Sequence, residues 1–459
     1  MRRFLSSTLP LVLFGCVGPS AHYQRLRDVA SQPIDSSWVE QRARSALQSR
    51  RLDTRPVFEE LEELSIDGFV AAVQLRNPTV VAAEHAWRAA LARYPQVTSL
   101  DDPMLSYALG PSSIGSNNVD FAQKIELSQK LPWPGKLGLR GEAALSEADA
   151  RREELRTAKD KLEQQAKVAF FEFYYVYRAI ETNEVNKTIL QEFKRTAEAK
   201  YAAGTASKQD ALQAEVAHNH LLHRGIVLER LRRVTKGRMN TLLNRSPNEE
   251  LPPPPGALAL PTLRPVYATL VSRSLEARPE IRALLHRVRG QQATLDLARM
   301  DFWPDFTITG GYNSLWQQDD LQPYVGFGFN IPIQTGRRRG AVDESTSEIF
   351  RLRAHVSELA SNVALEVQDA FERVVESEHV VELYRSQLVP SAEENLEAAR
   401  SEYSVGKTDF LSMLTAERGL MEAQLEFHKA VSRYHQSFAD LERVVGAPLF
   451  TEDGYESPK

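Results

Sequence analysis

Two periodicities divide the chain. Near residues 104–110, 119–131, 305–313 and 323–333, apolar and polar side chains take turns. Ile125, Leu127 and Leu131 oppose Lys124, Glu126, Ser128 and Lys130, and Val325, Phe327, Phe329 and Ile331 oppose Tyr324, Gly326, Gly328 and Asn330. Phe306, Ile308 and Tyr312 likewise alternate with Thr307 and Thr309. A period of two predicts strands whose sheet has one apolar and one more polar face. Polar loops, "PSSIGSNN" and "NSLWQQDDLQ", join them. Elsewhere the step is seven: Ala360, Val367, Val374, Val381 and Leu388, accompanied three places on by Val363, Ala370, Ser377 and Tyr384. Such a seam keeps facing a partner helix and supercoils left-handedly. From Gly336 to Gly406 lie about 70 residues, roughly 100 Å if helical throughout, with a kink expected at Pro390.

The strands meet the helices abruptly. After Leu131 comes Pro132-Trp133-Pro134-Gly135, and the chain then turns rich in Ala, Glu, Leu and Arg. The same architecture recurs downstream. Asn77-Pro78 matches Arg278-Pro279, Pro103 matches Pro304, and Gly135 matches Gly336, each 201 residues apart. "YAAGTASKQDALQAE" from Tyr201 matches "YSVGKTDFLSMLTAE" from Tyr403, at an offset of 202. The chain therefore reads as two tandem copies, 67–245 and 266–446, joined by a proline-rich linker, 246–265, that proline holds extended. Each copy runs helix, strand, loop, strand, long helix, tight turn, long helix.

The N-terminus adds a destination. Arg2 and Arg3 precede the apolar run Phe4 to Phe14, ending in "LFGC", whose Cys16 is the single cysteine among 459 residues. Residues 1–15 read as an export signal. The arrangement resembles a bacterial lipoprotein signal, which implies cleavage and acylation at Cys16 and a lipid-anchored segment 16–66 ahead of the first copy; 447–459 is a C-terminal tail. One lipid set anchors without spanning. No run of eighteen apolar residues follows, so no transmembrane helix is expected. A net charge of -5 offers no basic excess for a nucleic-acid partner.

Export sharpens the meaning of the strands. Four strands cannot close a barrel, and hydrocarbon leaves open sheet edges unpaired at several kcal/mol per group. Lipid-facing strands must then borrow neighbours from other copies. Two chains give eight strands, a barrel filled by its own side chains; three give twelve, with room for a polar lumen. Trp133 and Trp303 stand just outside the strands, where indole favours the membrane–water boundary. Pro134-Gly135 and Gly336 are expected to turn the backbone from strand to helix.

The ordered set "LRNPTVVAAEHAWRAA", "KLPWPGKLGLRGEAALSEADA", "ARPEIRALLHRVRGQQATLDLARMDFWPDFTITGGY", "FNIPIQTGRRRGAV" and "YSVGKTDFLSMLTAERGLMEAQ" resembles the TolC family of outer-membrane efflux proteins across almost all of the mature chain. "DPMLSYALGP" followed by "IELSQKLPWPGK" resembles its heavy-metal branch, CzcC- and CusC-like. The resemblance implies a mainly α fold with a membrane β-barrel: long coiled-coil hairpins plus four strands per chain, a homotrimer with a twelve-strand barrel in the outer membrane of a Gram-negative bacterium, and an α-helical tunnel in the periplasm. It implies a periplasmic adaptor and an inner-membrane pump as partners, outer-membrane lipid around the barrel, and no cofactor. The periplasmic aperture falls at the two hairpin bends, where many members carry rings of aspartate that attract cations. Asp210 matches a tip aspartate. Its second-copy equivalent is Ser412, Thr415 also replaces an acidic residue, and Asp409 is acidic but out of register.

Other signals carry less. His218, His220 and His223 in "HNHLLH" are separated by about 200° and 300° on a helix, so a convergent metal site is not expected. "VGFGFN" lacks the third glycine and following helix of a dinucleotide loop. The Arg337-Arg338-Arg339 run is expected on solvent or lipid headgroups at the junction. No catalytic constellation stands out. A passive export duct without catalysis is the resulting expectation; a periplasmic coiled-coil adaptor or rod, and a soluble enzyme, are the alternatives, and the exported substrate stays open.

Overall fold

The structure, a computed structural model, describes residues 20–32, 62–115, 121–260, 266–316 and 319–449. Cys16, the signal 1–15 and most of the segment 16–66 lie outside the described residues. Helix α1, Ala21–Ala30, is followed by α2, Ile66–Arg76; α3, Pro78–Leu91; and α4, Arg93–Thr98. Strands β1, Met104–Leu109, and β2, Gln123–Leu131, lead into α5, Lys136–Ala202, and α6, Lys208–Leu242. The second half repeats this order: α7, Tyr267–Ala277; α8, Pro279–Met300; β3, Phe306–Asn313; β4, Pro323–Phe329; α9, Thr335–Leu383; α10, Val389–Ser404; α11, Phe410–Val445. No helix among the described residues is long and apolar enough to cross a membrane.

The described residues form two compact units, one drawn from 1–33, 84–153 and 282–357 and the other from 34–83, 154–281 and 358–459. The first holds the sheet, antiparallel throughout in the order β1-β2-β3-β4. Its register aligns Tyr107 with Ile125, Ile125 with Tyr312, Ile308 with Phe327 and Phe306 with Phe329. Residues 105 and 107, 125 and 127, 308 and 312, and 325, 327 and 329 thus share one face, and their apolar side chains are exposed. On the other face Tyr324 donates its hydroxyl to Glu126 Oε2 at 2.5 Å, and Lys124 Nζ lies 2.6 Å from the same oxygen. The alternation seen in the sequence is real, but among the described residues its apolar face is left exposed. β4 ends at Phe329, short of the expected 333, where it runs past the start of β3: Asn330 still meets Asp305, its Oδ1 accepting the Asp305 N–H at 2.5 Å and its own N–H donating to the Asp305 carbonyl at 3.2 Å.

The second unit is built from helical seams. In α5, residues Leu155, Leu162, Ala169, Val176, Asn183, Leu190 and Ala197 step by seven and are all buried. In α9 the expected seam holds through Val363, Val367, Ala370, Val374 and Val381, which pack with Ala430, Val431, Tyr434, Phe438 and Leu441 of α11. It fails at Leu388, which is 41% exposed. Between α9 and α10 the chain forms a π-turn over Tyr384–Leu388, in which the Val389 N–H donates to the Tyr384 carbonyl five residues back. Pro390 lacks an N–H and would press on the carbonyl four residues earlier; widening the turn by one residue removes that conflict. The helix therefore continues through the expected kink site with its seam shifted: the next buried positions are Leu396 and Tyr403.

The described part of the linker, 246–260, packs rather than floats. Asn240 Nδ2 donates to the carbonyls of Pro247 and Glu249 at 3.3 and 2.8 Å. The Leu64 N–H donates to the Pro253 carbonyl at 2.9 Å, and Leu251 is buried.

Candidate functional site

Two sites expected from the sequence are described, one in each unit. The first is the strand–helix junction. Gly135 adopts φ +96°, a region closed to most residues, and a Cβ there would lie 3.2 Å from Met300 Cε. That turn lays Trp133 against Trp303 with ring centroids 5.0 Å apart, and against Phe306 at 5.4 Å. The sequence placed both indoles just outside the strands, and the fold brings them into one stack, with Trp303 exposed on its outer side. Pro134 is exposed. Gly336 has no comparable part: it sits in the first turn of α9 with open space around it and is not among the positive-φ residues. The chain turns just before it instead, through two short bonds, Ile333 N–H to the Ile331 carbonyl and Thr335 N–H to the Ile333 carbonyl, at 2.9 and 3.0 Å.

Beneath the indoles is a group that sequence reasoning missed. Lys136 is 3% exposed, and its Nζ reaches Asp305 Oδ1 at 2.9 Å, Asp301 Oδ1 at 3.2 Å and the Trp303 carbonyl at 3.3 Å. Asp305 Oδ1 also accepts the Trp133 N–H at 3.0 Å. Burial would raise the Asp305 carboxyl, but the Lys136 ammonium and the Trp133 N–H outweigh it and hold it below its ordinary value. Arg338 corrects the expectation of a solvent- or headgroup-facing run. It is buried, donating Nε to the Asp301 carbonyl at 2.6 Å and Nη1 to the Gln334 carbonyl at 3.2 Å, while Arg337 and Arg339 are exposed.

The second site comprises the hairpin tips. Gly204 and Gly406 end the rising helices at φ +72° and +76°. Thr205 N–H bonds the Lys200 carbonyl and Lys407 N–H the Glu402 carbonyl, each at 2.9 Å, so the two turns are copies. At the following helix starts the polar residues exchange roles. In the first tip Ser207 precedes α6 and donates its hydroxyl to Asp210 Oδ1 at 2.8 Å. In the second, Asp409 precedes α11 and accepts the Ser412 N–H at 2.9 Å. Asp409 is thus the positional equivalent of Ser207, and Ser412 that of Asp210. Hydrogen bonds from Ser412 hold the Asp409 carboxyl below its ordinary value. Thr415 is exposed and bonds its own helix, Oγ1 to the Leu411 carbonyl at 2.7 Å. Lys200 ties the hairpins together: its Nζ donates to the Tyr403 carbonyl at 2.6 Å and lies 3.9 Å from the Tyr403 ring centroid.

His220 and His223 line one cavity on the flank of α6. Among the described residues no group of three or more histidine, cysteine, aspartate or glutamate side chains is placed to hold a metal ion.

An antiparallel sheet with an exposed apolar face, joined through an aromatic turn to duplicated helical hairpins, is the arrangement of an outer-membrane channel-type protein. The family of outer membrane efflux proteins matches residues 70–234 and 270–447, and the chain belongs to that family. It is 23% identical to nodulation protein T of Rhizobium leguminosarum bv. trifolii over 60% of this chain and 60% of that one. It is 23% identical to the outer membrane efflux protein BepC of Brucella suis over 78% and 77%, and 22% identical to the cobalt-zinc-cadmium resistance protein CzcC of Cupriavidus metallidurans over 39% and 42%. Among solved structures, CusC superposes with a TM-score of 0.71 at 18% identity, covering 86% of this chain and 94% of that one. The TolC-type fold and the outer-membrane efflux class are thereby established.

Proposed function

We propose that three copies of this chain close a twelve-strand barrel in the outer membrane and form a passive duct for an inner-membrane pump and a periplasmic adaptor. The observation that carries this reading is the sheet. Its apolar side chains are exposed on one face, and β1 and β4 are its edges. In hydrocarbon those edges need partners, and identical neighbours supply them as β4 pairs with β1 of the next copy. Trp133 and Trp303 would then sit at the membrane–water boundary, with Cys16 acylated as an added anchor. The halves 67–245 and 266–446 give the trimer a near six-fold tunnel. Asp210, Asp409, Ser412 and Thr415, each present three times, line its periplasmic aperture, which opens as the tip helices untwist.

Heavy-metal cations are the proposed cargo, supported by the similarity to the cobalt-zinc-cadmium resistance protein CzcC. The barrel reading is tested by membrane fractionation with native mass measurement of the mature protein. A trimer in the outer-membrane fraction is expected; a stable monomer or a soluble oligomer without detergent overturns it and favours a periplasmic rod. Cargo is tested by growth of a deletion strain on metals and toxic organics, and sensitivity confined to organics removes the metal assignment. Engineered disulfides across the tip bends should block export; undiminished export would refute gating there.

A further inference from the structure

The most unusual carboxyl among the described residues is neither at the tips nor at the junction. Glu417, eleven residues beyond the Gly406 turn, is 2% exposed, and its Oε1 has no hydrogen-bond partner. It lines a cavity of about 350 Å³ with Leu190 of α5, Ala217, His220, Leu221, His223 and Arg224 of α6, and Arg418, Met421 and Glu422 of its own helix. Its surroundings are apolar within and charged at the rim. Leu190, Ala217, Leu221 and Met421 are buried, whereas His220, His223, Arg418 and Glu422 are exposed. Arg224 is engaged with Met421, Nη1 to Sδ at 3.4 Å. From α10, Arg400 acts on Glu417 while stacking over the Phe193 ring at 5.1 Å. On α5, Lys194 is engaged with Glu198 and with Glu215 of α6, at 3.9 and 3.8 Å.

A carboxylate taken from water without a compensating bond is expensive, and the group neutralises instead. Burial pushes the Glu417 carboxyl up to about 7, against the opposing pull of Arg418 and Arg400. The cavity beside it is large enough to admit water, and it lies within the cluster in which Leu190, Ala217, Leu221, Leu414 and Met421 hold α5, α6 and α11 together.

We propose that Glu417 and its cavity form a proton-operated latch on the tip hairpins: protonated, the residue lets α11 stay packed on α5 and α6, and on ionising it draws water into the cavity and loosens that packing. The sign follows from linkage. A carboxyl whose folded value is raised favours the packed form at low pH, and that advantage is lost as pH rises through the folded value. Local opening should then be about tenfold more frequent at pH 8 than at pH 6. The latch belongs to the folded hairpins of a single chain, so it stands or falls separately from the barrel and duct reading.

The test is amide hydrogen exchange of the purified full chain from pH 5.5 to 8.5, read over residues 214–224 and 413–421 after dividing out the intrinsic rate. Wild type should show the rise; Glu417→Gln and Glu417→Met should not. Histidines change charge in the same range, so a His220→Gln, His223→Gln double variant must retain it. A rise that persists in both Glu417 variants, that vanishes with the histidines, or that is absent from wild type overturns the proposal. A wild-type readout guards against misfolded variants: pH-difference infrared spectra should show a protonated carboxyl disappearing near neutrality, and loss of every such band below pH 6 equally overturns it.

Discussion

The two repeats are copies that solve one problem differently. α5 keeps an unbroken seam from Leu155 to Ala197, with Asn183, 1% exposed and donating to the Leu221 carbonyl at 3.3 Å, fixing its register. Its counterpart is interrupted at Tyr384–Leu388. The landmarks lie 201 residues apart at the Gly135/Gly336 end and 202 apart at Tyr201/Tyr403, so the second helix carries one residue more. That residue is the one the π-turn absorbs. An insertion that would rotate every later side chain by about 100° on an α-helix is confined to one widened turn, and both helices reach matching Gly turns.

The largest predicted effect breaks this comparison directly. Deleting Glu184, exposed on α5, should misplace Leu190, Phe193 and Ala197 and abolish stable folding, read by thermal melting and outer-membrane yield. Deleting Gln387 together with Pro390→Ala should convert the π-turn to α-helix and leave the melting temperature unchanged or higher. Collapse in both cases would mean the π-turn is required for more than register.

The junctions give the next effect. Lys136 is buried between two aspartates, while its equivalent Arg337 is exposed. Lys136→Ala should cost roughly 3 kcal/mol by stranding Asp305; Arg337→Ala should stay within about 0.5 kcal/mol. Because the Asp305 carboxyl is held low, its contribution is fully present above its ordinary value and is lost as pH falls through the lowered one. Stability measured against acid should therefore fall less steeply in Lys136→Ala.

The smallest effect lies at the tips. Asp409 accepts a backbone N–H, whereas Ser207 makes no cap bond of that kind. Asp409→Ala should speed amide exchange over the first turn of α11, and Ser207→Ala should leave the first turn of α6 nearly unchanged. Equal acceleration in both would show that the exchanged roles of Asp and Ser carry no difference in capping.

Much of this was legible in one dimension. Strand alternation and the seven-residue seam are local repeats, and geometry converts them into faces without reference to the rest of the chain. The offsets of 201 and 202 differ by one residue, and beside Pro390, where a kink was expected, the chain takes up that residue in a widened turn. The seam beyond Val381 was therefore extended wrongly to Leu388. At the junction Trp133 and Gly135 were legible as a turn, but Gly336 was not distinguishable from Gly135 without its backbone angle. Lys136 was missed because its partners, Asp301 and Asp305, come from the other repeat. Asp409 looked out of register until the helix start placed it opposite Ser207.

By itself the sequence determined the strand faces and the helix seams, because each depends on spacings shorter than a few turns, and the duplicated plan, because matched landmarks recur at a nearly constant offset. Tertiary structure alone decided the roles of Lys136, Arg338 and Glu417. A charged side chain's state depends on how much water and which partners surround it, and those are set by residues far away along the chain.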